Sequence, residues 1–230
     1  MKIGIIAAMQ EELALLKEEL IDAKSWTRAG IAFYSGALGN HEVILVQSGI
    51  GKVQAALTAT LLVHEFGVQA LINTGSAGGV GAGLKVGDVV ISDTTAYWDV
   101  DVTGFGYEKG QLPAQPRYFE SSKYLAMEMQ KAAEKIGQHA LRGLIVTGDS
   151  FISDPAKTQE IINTFPQVLA CEMEGAAIGQ VAHQFGIGYL VVRAMSDTAD
   201  HQATQTFDEF IIDAGKRSAQ MVLTFLDMVK

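Results

Sequence analysis

The sequence predicts an α/β fold: a single domain with a central mixed, largely parallel twisted sheet flanked by helices on both faces. Apolar runs rich in β-branched residues alternate along the chain with segments of helical period, the pattern of strands followed by covering helices. No Ser/Pro-rich linker or low-complexity run divides the 230 residues. Because 48% of the residues are hydrophobic and 19% are charged, one domain over residues 1–230 has enough apolar side chains for a large core.

The predicted strands are short apolar runs, several of them bounded by glycine or polar residues. In chain order they cover residues 2–7, 31–38, 42–47, 70–73, 88–91, 144–146, 168–170 and 189–193. Gly39 and Asn40 separate the second run from the third, which predicts a hairpin turn. Residues 97–119 are aromatic, are interrupted by glycine and proline and have weak periodicity, so a long functional or interface loop is expected there.

The predicted helices carry apolar residues at helical spacing. They cover residues 11–20, 52–65, 121–136 and 174–184, and two more begin near Pro155 and at Thr206. Ser153 and Asp154 precede Pro155 and are candidates to cap that helix. Glu209 follows Thr206 at the spacing of a capping box, so the last helix is expected to begin there.

Composition argues against several classes of function. The chain has 17 Lys and Arg against 26 Asp and Glu, a net charge of −9, so it lacks the cationic excess needed to bind nucleic acid or an anionic membrane. The longest uncharged window, residues 66–84, is rich in glycine and polar residues and is not expected to span a membrane. Cys171 is the only cysteine and the N-terminal segment turns acidic early, which predicts a cytoplasmic protein.

Standard nucleotide, hydrolase and metal motifs are missing from the sequence. It has no G-x-G-x-x-G after a strand, no G-x-x-x-x-G-K-[ST] and no G-x-S-x-G elbow. The five histidines are scattered, and none forms an i, i+4 pair, so no zinc site and no cofactor are expected. Gly148, Asp149 and Ser150 are interpreted as a strand end turning into a loop rather than as an esterase site, because no histidine is nearby.

Four segments follow predicted strands, where α/β folds place their ligands. The first contains Glu11 and Glu12, which either complement the dipole of the helix that they begin or act in catalysis. The second is a pair of glycine-rich segments, residues 48–52 and 73–79, which follow apolar strands. Their small residues either make tight turns or let a ligand approach the backbone closely.

The other two segments combine carboxylates with an apolar strand. Glu172 and Glu174 begin a helix of small residues, where they either cap that helix or hold the hydroxyls of a diol. Only one of the two side chains is expected to face a ligand. Ser196 and Asp197 leave an apolar strand, whose low-dielectric surroundings suit a general acid. Arg193 is expected to oppose that effect or to pair with a glutamate.

Together these segments resemble the purine nucleoside phosphorylase/nucleosidase superfamily over essentially the whole chain. The motifs that carry the resemblance are GIIAAMQEE (4–12), SGIGKVQAA (48–56), NTGSAGG (73–79), VGDVVISD (86–93), DVTGFGYEKGQLP (101–113), GDSFI (148–152), EMEGAAI (172–178) and VVRAMSD (191–197). They are most similar to the branch that hydrolyses 5′-methylthioadenosine and S-adenosylhomocysteine. The resemblance implies a nucleoside phosphorylase-like fold and release of adenine and a 5-substituted ribose. Two positions depart from the family pattern, Gln10 and Ala7.

The resemblance also implies a role for each site residue. Asp197 protonates N7 of adenine, and Ser196 orients that aspartate. Glu12 activates the attacking water with help from Ser76 and Arg193. The remaining residues implied to contact substrate are Glu172, Met173 and Glu174 at the ribose, Phe151 and Ile152 at adenine, Met9, Ile50 and Phe207 at the alkylthio group, and also Ala77 and Gly78. The residues implied to come from the partner subunit of a homodimer are Val102, Phe105, Tyr107 and Pro113.

Other functions on this fold make different demands. A phosphorylase needs cationic donors for phosphate, but the segment of Gln10, Glu11 and Glu12 contains no arginine, so water is the expected nucleophile. A nucleotide substrate is disfavoured for lack of a basic cluster, whereas a futalosine-type nucleoside stays open. A nucleoside-binding or storage protein is the alternative from a different class, and it would bind without releasing adenine.

Overall fold

The computed structural model describes residues 1–199 and 203–229, which form a ten-stranded sheet and six α-helices. The strands are β1 (Lys2–Ala7), β2 (Ile21–Arg28), β3 (Ile31–Leu38), β4 (His41–Gln47), β5 (Ala70–Gly79), β6 (Val89–Tyr97), β7 (Phe119–Glu120), β8 (Ala140–Thr147), β9 (Val168–Glu172) and β10 (Gly188–Asp197). The helices are α1 (Gln10–Glu18), α2 (Lys52–His64), α3 (Lys123–Lys135), α4 (Pro155–Thr164), α5 (Gly175–Phe185) and α6 (Ala203–Met228).

The sheet closes on itself at one end. Strand β5 pairs with β10 in parallel and with β9 antiparallel, and β6 and β8 complete a ring of five strands. Strands β1 and β4 extend in parallel from β5, and β3 and β2 continue antiparallel to the outer edge. The predicted mixed sheet is confirmed. Its closure depends on pairing between strands far apart in sequence, which the apolar pattern does not encode.

Helices cover both faces of the sheet, as predicted. On one face α1, α3 and α6 enclose a core that includes Leu16, Met129 and Phe225, all fully buried. On the other face α2 and α5 pack through Leu62 and Ile178. The core therefore lies on either side of a central sheet, and the functional motifs lie at the strand ends.

Several strands are longer than predicted. Strand β5 includes the glycine-rich segment 73–79, and β10 includes Ser196 and Asp197. Of the two alternatives for residues 73–79, the tight turn is therefore wrong, because this segment pairs with β10 and is almost entirely buried. Strand β2 was not predicted, since its side chains are mostly exposed at the sheet edge and show no apolar alternation.

The helix boundaries include one success and one error. Asp154 caps α4 by accepting a hydrogen bond from the Ala156 amide at 2.9 Å, and Pro155 occupies the first turn. Helix α6 begins at Ala203, which is fully buried. The predicted start at Thr206 is therefore wrong, and Thr206 and Glu209 both lie inside the helix, because apolar packing begins one turn earlier.

The irregular stretch between β6 and β7 is confirmed as a loop, with a short 3-10 turn at Thr103–Phe105. Across the described ranges, none of the helices combines the length and apolar character needed to cross a bilayer.

Candidate active site

A cavity opens where β1, β5, β8, β9 and β10 end or approach their ends. The predicted residues that line it are Met9, Glu12, Ile50, Ser76, Ala77, Gly78, Phe151, Ile152, Glu172, Met173, Glu174, Arg193, Ser196, Asp197 and Phe207. Three further lining residues were not predicted: Ala8, Ser150 and Cys171. Each of these three is next in sequence to a predicted residue, so their position within the same motifs could have identified them.

Glu12 is held at the inner end of the cavity by four hydrogen-bond donors. Its Oε2 accepts from the backbone amides of Ala8 at 3.0 Å and Met9 at 3.2 Å. Its Oε1 accepts from the amide of Ser76 at 2.8 Å and from the Ser76 hydroxyl at 2.9 Å. Glu12 therefore satisfies amides at the start of α1, as the first alternative predicts, and it also faces the cavity, which the second alternative requires.

Gly75 leaves the space that these charged groups occupy. A methyl group at Gly75 would lie 2.5 Å from Glu12 Oε1 and 2.6 Å from Arg193 Nη1, closer than atoms can approach. The parallel register of β5 and β10 sets Gly75 opposite Arg193. The absence of a side chain at this position lets a carboxylate and a guanidinium converge on the same stretch of β5.

Arg193 is fully buried and pairs with two carboxylates. Its Nη2 donates to Glu172, to Glu174 Oε2 at 3.2 Å and to Asn73 Oδ1 at 2.5 Å. The expectation that only one glutamate would face the cavity is wrong. Side chains two residues apart in an extended chain point to the same face, and Glu174, just past the end of β9 at the start of α5, keeps its carboxylate on the Arg193 side.

Glu172 serves the fold as well as the cavity. Its carboxylate accepts hydrogen bonds from the amides of Glu174 and Gly175 at the start of α5, and from the Thr147 hydroxyl. Glu172 therefore caps α5, which is one of the two roles that the sequence left open for it, and it also forms the glutamate ion pair expected as an alternative for Arg193. Thr147 and Asn73 hold this group in place, although neither lines the cavity.

Burial sets the charge states around Arg193. Burial, followed by the neighbouring charge of Glu172, raises the pKa of Glu174 from 4.5 to about 7. Burial works against the charge of Arg193, but the carboxylates of Glu172, Glu174 and Glu12 outweigh it and raise the pKa of the guanidinium. Burial also raises the pKa of the Cys171 thiol, which therefore forms a neutral part of the wall.

Asp197 lies at the end of β10 and is 2% exposed. Its Oδ2 accepts a hydrogen bond from the Ser196 hydroxyl at 2.9 Å, and its Oδ1 accepts from the Ala199 amide at 2.8 Å. Gly78 lies against it, because a methyl group there would be 2.9 Å from Asp197 Oδ1. A buried carboxyl group with fixed orientation is a suitable proton donor.

The outer end of the cavity is apolar. Phe151 and Phe207 meet edge to face, with ring centroids 5.6 Å apart, and Ile50 lies beside them, 55% exposed. The four residues assigned to a partner subunit do not line this chain's own cavity. Those four residues are Val102, Phe105, Tyr107 and Pro113.

The phosphorylase superfamily model matches residues 2–227. A 5′-methylthioadenosine/S-adenosylhomocysteine nucleosidase from Shewanella pealeana is 49% identical over 230 residues, which is 100% of each chain. The chain belongs to this nucleosidase family of the phosphorylase superfamily.

Solved structures of the family match the whole fold. The S-adenosylhomocysteine nucleosidase from Streptococcus pyogenes, in complex with 5-methylthiotubericidin, has a TM-score of 0.98 and 51% identity over 100% of this chain and 98% of that one. The 5′-methylthioadenosine/S-adenosylhomocysteine nucleosidase from S. pneumoniae, with the transition-state inhibitor MT-ImmA, has a TM-score of 0.97 and 53% identity over 100% of both chains.

The two departures from the family pattern lie away from the cavity lining. Gln10 is exposed on α1, and Ala7 is fully buried at the end of β1. Within the described ranges, no group of three His, Cys, Asp or Glu side chains is arranged to hold a metal ion; His201 lies outside those ranges.

Proposed function

We propose that this protein is a nucleosidase, one domain over residues 1–230, that hydrolyses the N-glycosidic bond of 5′-methylthioadenosine and S-adenosylhomocysteine. It also accepts 5′-deoxyadenosine, and the products are adenine and a 5-substituted ribose. The observation that carries the proposal is that Glu12 and Asp197, from opposite ends of the chain, line one cavity. The names of the relatives with full-length identity near one half support the choice of substrates.

Asp197 is the general acid. It donates a proton to N7 of adenine, so that the bond between N9 and C1′ breaks and adenine departs as a neutral base. The hydrogen bonds from Ser196 and Ala199 fix the orientation of the carboxyl group. A positioned proton donor of this kind contributes about 10²- to 10⁴-fold to the rate.

Glu12 is the general base. It accepts a proton from a water molecule while the oxygen of that water forms the new bond to C1′. Ser76 faces Glu12 and Gly78 faces Asp197, and two residues along a strand span about 7 Å. Contact with separate points of β5 keeps the base and the acid apart, and inverting hydrolysis of glycosides needs room for a water between them.

Glu174 accepts hydrogen bonds from the ribose hydroxyls, flanked by Glu172 and Met173. The Arg193 guanidinium pairs with Glu172 and Glu174 and balances their negative charge. A carboxylate that binds a diol also holds the sugar in a fixed position relative to the acid and the base, which lowers the entropic part of the barrier.

The apolar end of the cavity binds the rest of the substrate. Phe151 stacks on adenine and the backbone of Ile152 reads its edge, with Ala77 and Gly78 beside them. The alkylthio group contacts Met9, Ile50 and Phe207. The proposed steps use side chains and water, without a cofactor.

A homodimer completes the site in this proposal. The support is apolar exposure: Phe105 is 84% exposed, Ile50, which lines the cavity, is 55% exposed, and Val53, three residues further along the chain, is 78% exposed. The partner subunit contributes its copies of Val102, Phe105, Tyr107 and Pro113. A single, buried Cys171 supports a reducing, cytoplasmic location.

The test is product analysis with purified protein. Incubation with 5′-methylthioadenosine should release adenine and the free thio-sugar equally well with and without inorganic phosphate, as measured by mass spectrometry. A sugar phosphate formed only with phosphate would identify a phosphorylase instead. If futalosine were the only nucleoside hydrolysed, the protein would be a futalosine-type nucleosidase. If 5′-methylthioadenosine bound but no adenine were released, the protein would be a nucleoside-binding protein.

A further inference from the structure

Lys52 lies outside the cavity lining, yet it joins two of the segments that form the cavity. Its ammonium nitrogen lies 2.6 Å from Asp99 Oδ2 and 3.7 Å from Asp149 Oδ2. Lys52 follows Ile50 by two residues, and Asp149 precedes Phe151 by two residues. The ion pairs therefore connect the loop that carries Ile50 with the loop that carries Phe151.

Backbone hydrogen bonds reinforce this connection. Asp149 Oδ1 accepts from the Lys52 amide at 2.8 Å, and the Asp149 amide donates to Asp99 Oδ2 at 3.0 Å. Gly51, at the N-cap of α2, has no side chain to satisfy the first amides of the helix. The Asp149 carboxylate takes that role from a distant segment, and its charge is favourable at a helix N-terminus.

Gly51 extends the connection to the ribose end of the cavity. Its amide donates to Glu174 Oε1 at 2.8 Å. Its φ of +97° favours glycine, and a methyl group there would lie 3.1 Å from Asp149 Oδ1. A shift of the 48–52 loop would therefore move a donor to Glu174 as well as the side chain of Ile50.

The cation of Lys52 offsets two neighbouring negative charges. The side chains of Lys52 and Asp99 are 23% and 20% exposed, and Asp99 Oδ1 is buried without a hydrogen-bond partner within the described part of the chain. Without the ammonium group, the carboxylates of Asp99 and Asp149 would repel each other in a partly buried site. The Phe151 loop, which carries Asp149, would then shift away from Asp99 and lose its side-chain ion pair to the Ile50 loop.

We propose that Lys52 is a positioning residue, which holds the Ile50 and Phe151 loops at the separation that a thio-adenosine requires. The inference rests on the proposed nucleosidase activity. Among the described residues, the hydrogen bonds of Glu12 come from Ala8, Met9 and Ser76. Those of Asp197 come from Ser196 and Ala199, and neither carboxylate bonds to Lys52, Asp99 or Asp149. Loss of the ammonium group is therefore expected to weaken substrate binding and to leave the chemical step nearly unchanged.

The experiment compares steady-state hydrolysis of 5′-methylthioadenosine by the wild type, Lys52→Met, Lys52→Arg and Lys131→Met. Lys131 is a matched control because it forms an ion pair with Glu128 at 2.7 Å on α3, away from the cavity. Lys52→Met should raise KM about tenfold and change kcat by less than about twofold. Lys52→Arg should restore most of the affinity.

The outcomes separate this inference from the proposed function. If the wild type released no adenine, the proposed nucleosidase function would be wrong. Wild-type turnover with the same KM in Lys52→Met and Lys131→Met would overturn the role of Lys52 alone. A loss of kcat at unchanged KM would also overturn it.

Tryptophan fluorescence gives a second readout, and a substitute variant is used if Lys52→Met folds poorly. Trp98 adjoins Asp99, and a methyl group at Gly148 would lie 2.5 Å from Trp98 Nε1, so the indole packs against the Phe151 loop. In a Trp26→Phe background, Lys52→Met should shift the emission of Trp98 and Lys131→Met should not. If Lys52→Met does not fold, Asp149→Asn takes its place and should raise KM, and an unchanged KM there would overturn the inference.

Discussion

The inner end of the cavity and its mouth are built in opposite ways. At the inner end, Glu12, Arg193 and Asp197 are at most 2% exposed, and each carries several hydrogen bonds from this chain. At the mouth, Ile50 and Phe151 are 55% and 47% exposed and present apolar surface. One chain therefore compensates most of the charge at the inner end through its own contacts and leaves the mouth of the cavity open to solvent.

This difference has an energetic cause. A buried charge is tolerated only where donors or an opposite charge compensate its lost hydration, so the inner end must be complete when the chain folds. Exposed apolar side chains need no polar partner when the chain folds, so a substrate or a partner subunit can cover them later. Changes at the inner end are therefore expected to lower kcat, and changes at the mouth to raise KM.

The largest effect is expected for Asp197→Asn. An amide cannot donate a proton to adenine, so kcat should fall by about 10²- to 10⁴-fold. The amide keeps the shape of the carboxyl group, and calorimetry should show 5′-methylthioadenosine bound within about tenfold of the wild-type affinity. Asp213→Asn, on the exposed surface of α6, is the control. Wild-type turnover by Asp197→Asn would place the acid elsewhere.

Glu12→Gln is expected to lower kcat by about 100-fold or more, because the base is lost. The new amide group also faces N–H donors from Ala8, Met9 and Ser76, which costs about 1–3 kcal/mol of stability. Thermal unfolding should report this loss separately from kinetics. Glu11→Gln changes an exposed neighbour and should be active and stable. A normal rate in Glu12→Gln would contradict its role as base.

The pH dependence sharpens the description of the inner end. Glu174 has a pKa raised to about 7, mainly by burial, and its ionised form is the better acceptor for ribose hydroxyls. The value of kcat/KM should therefore rise as pH increases through about 7. Glu174→Gln should lose that step in a pH-rate profile. An unchanged profile in the variant would assign the step to another group.

Ionisation of Glu174, which is expected to raise kcat/KM, is expected to lower the free energy of unfolding. Because its folded-state pKa lies above the ordinary value of 4.5, protonated Glu174 favours the folded state. That contribution is complete below pH 4.5 and is lost as pH rises through about 7. Denaturant unfolding of Glu174→Gln should show a smaller decline over this window than the wild type.

The smallest effect is expected at the mouth. Phe105→Ala should raise KM for 5′-methylthioadenosine by about three- to tenfold and leave kcat nearly unchanged. Light scattering should show a weaker dimer at the same time. Tyr124→Ala removes another exposed aromatic side chain, from α3, and should change neither quantity. A monomeric Phe105→Ala protein with wild-type KM would separate the dimer from substrate binding.

The sequence predicted the residues of the cavity better than it predicted their arrangement. The motifs around Glu12, Ser76, Glu174 and Asp197 were identified together, because each follows an apolar strand and their order resembles one superfamily. Most strands and helices were also identified, since their apolar periodicity is local information. Strand β2 was not, because an exposed edge strand needs no apolar pattern.

The tertiary structure decided which groups meet. The pairing of β5 with β10 brings Gly75 opposite Arg193 and closes the ring of strands, and no local pattern encodes that register. The pairing of Arg193 with both Glu172 and Glu174 follows from it. Sequence alone determined which side chains are available for chemistry, whereas the distances between them depend on contacts between segments far apart along the chain.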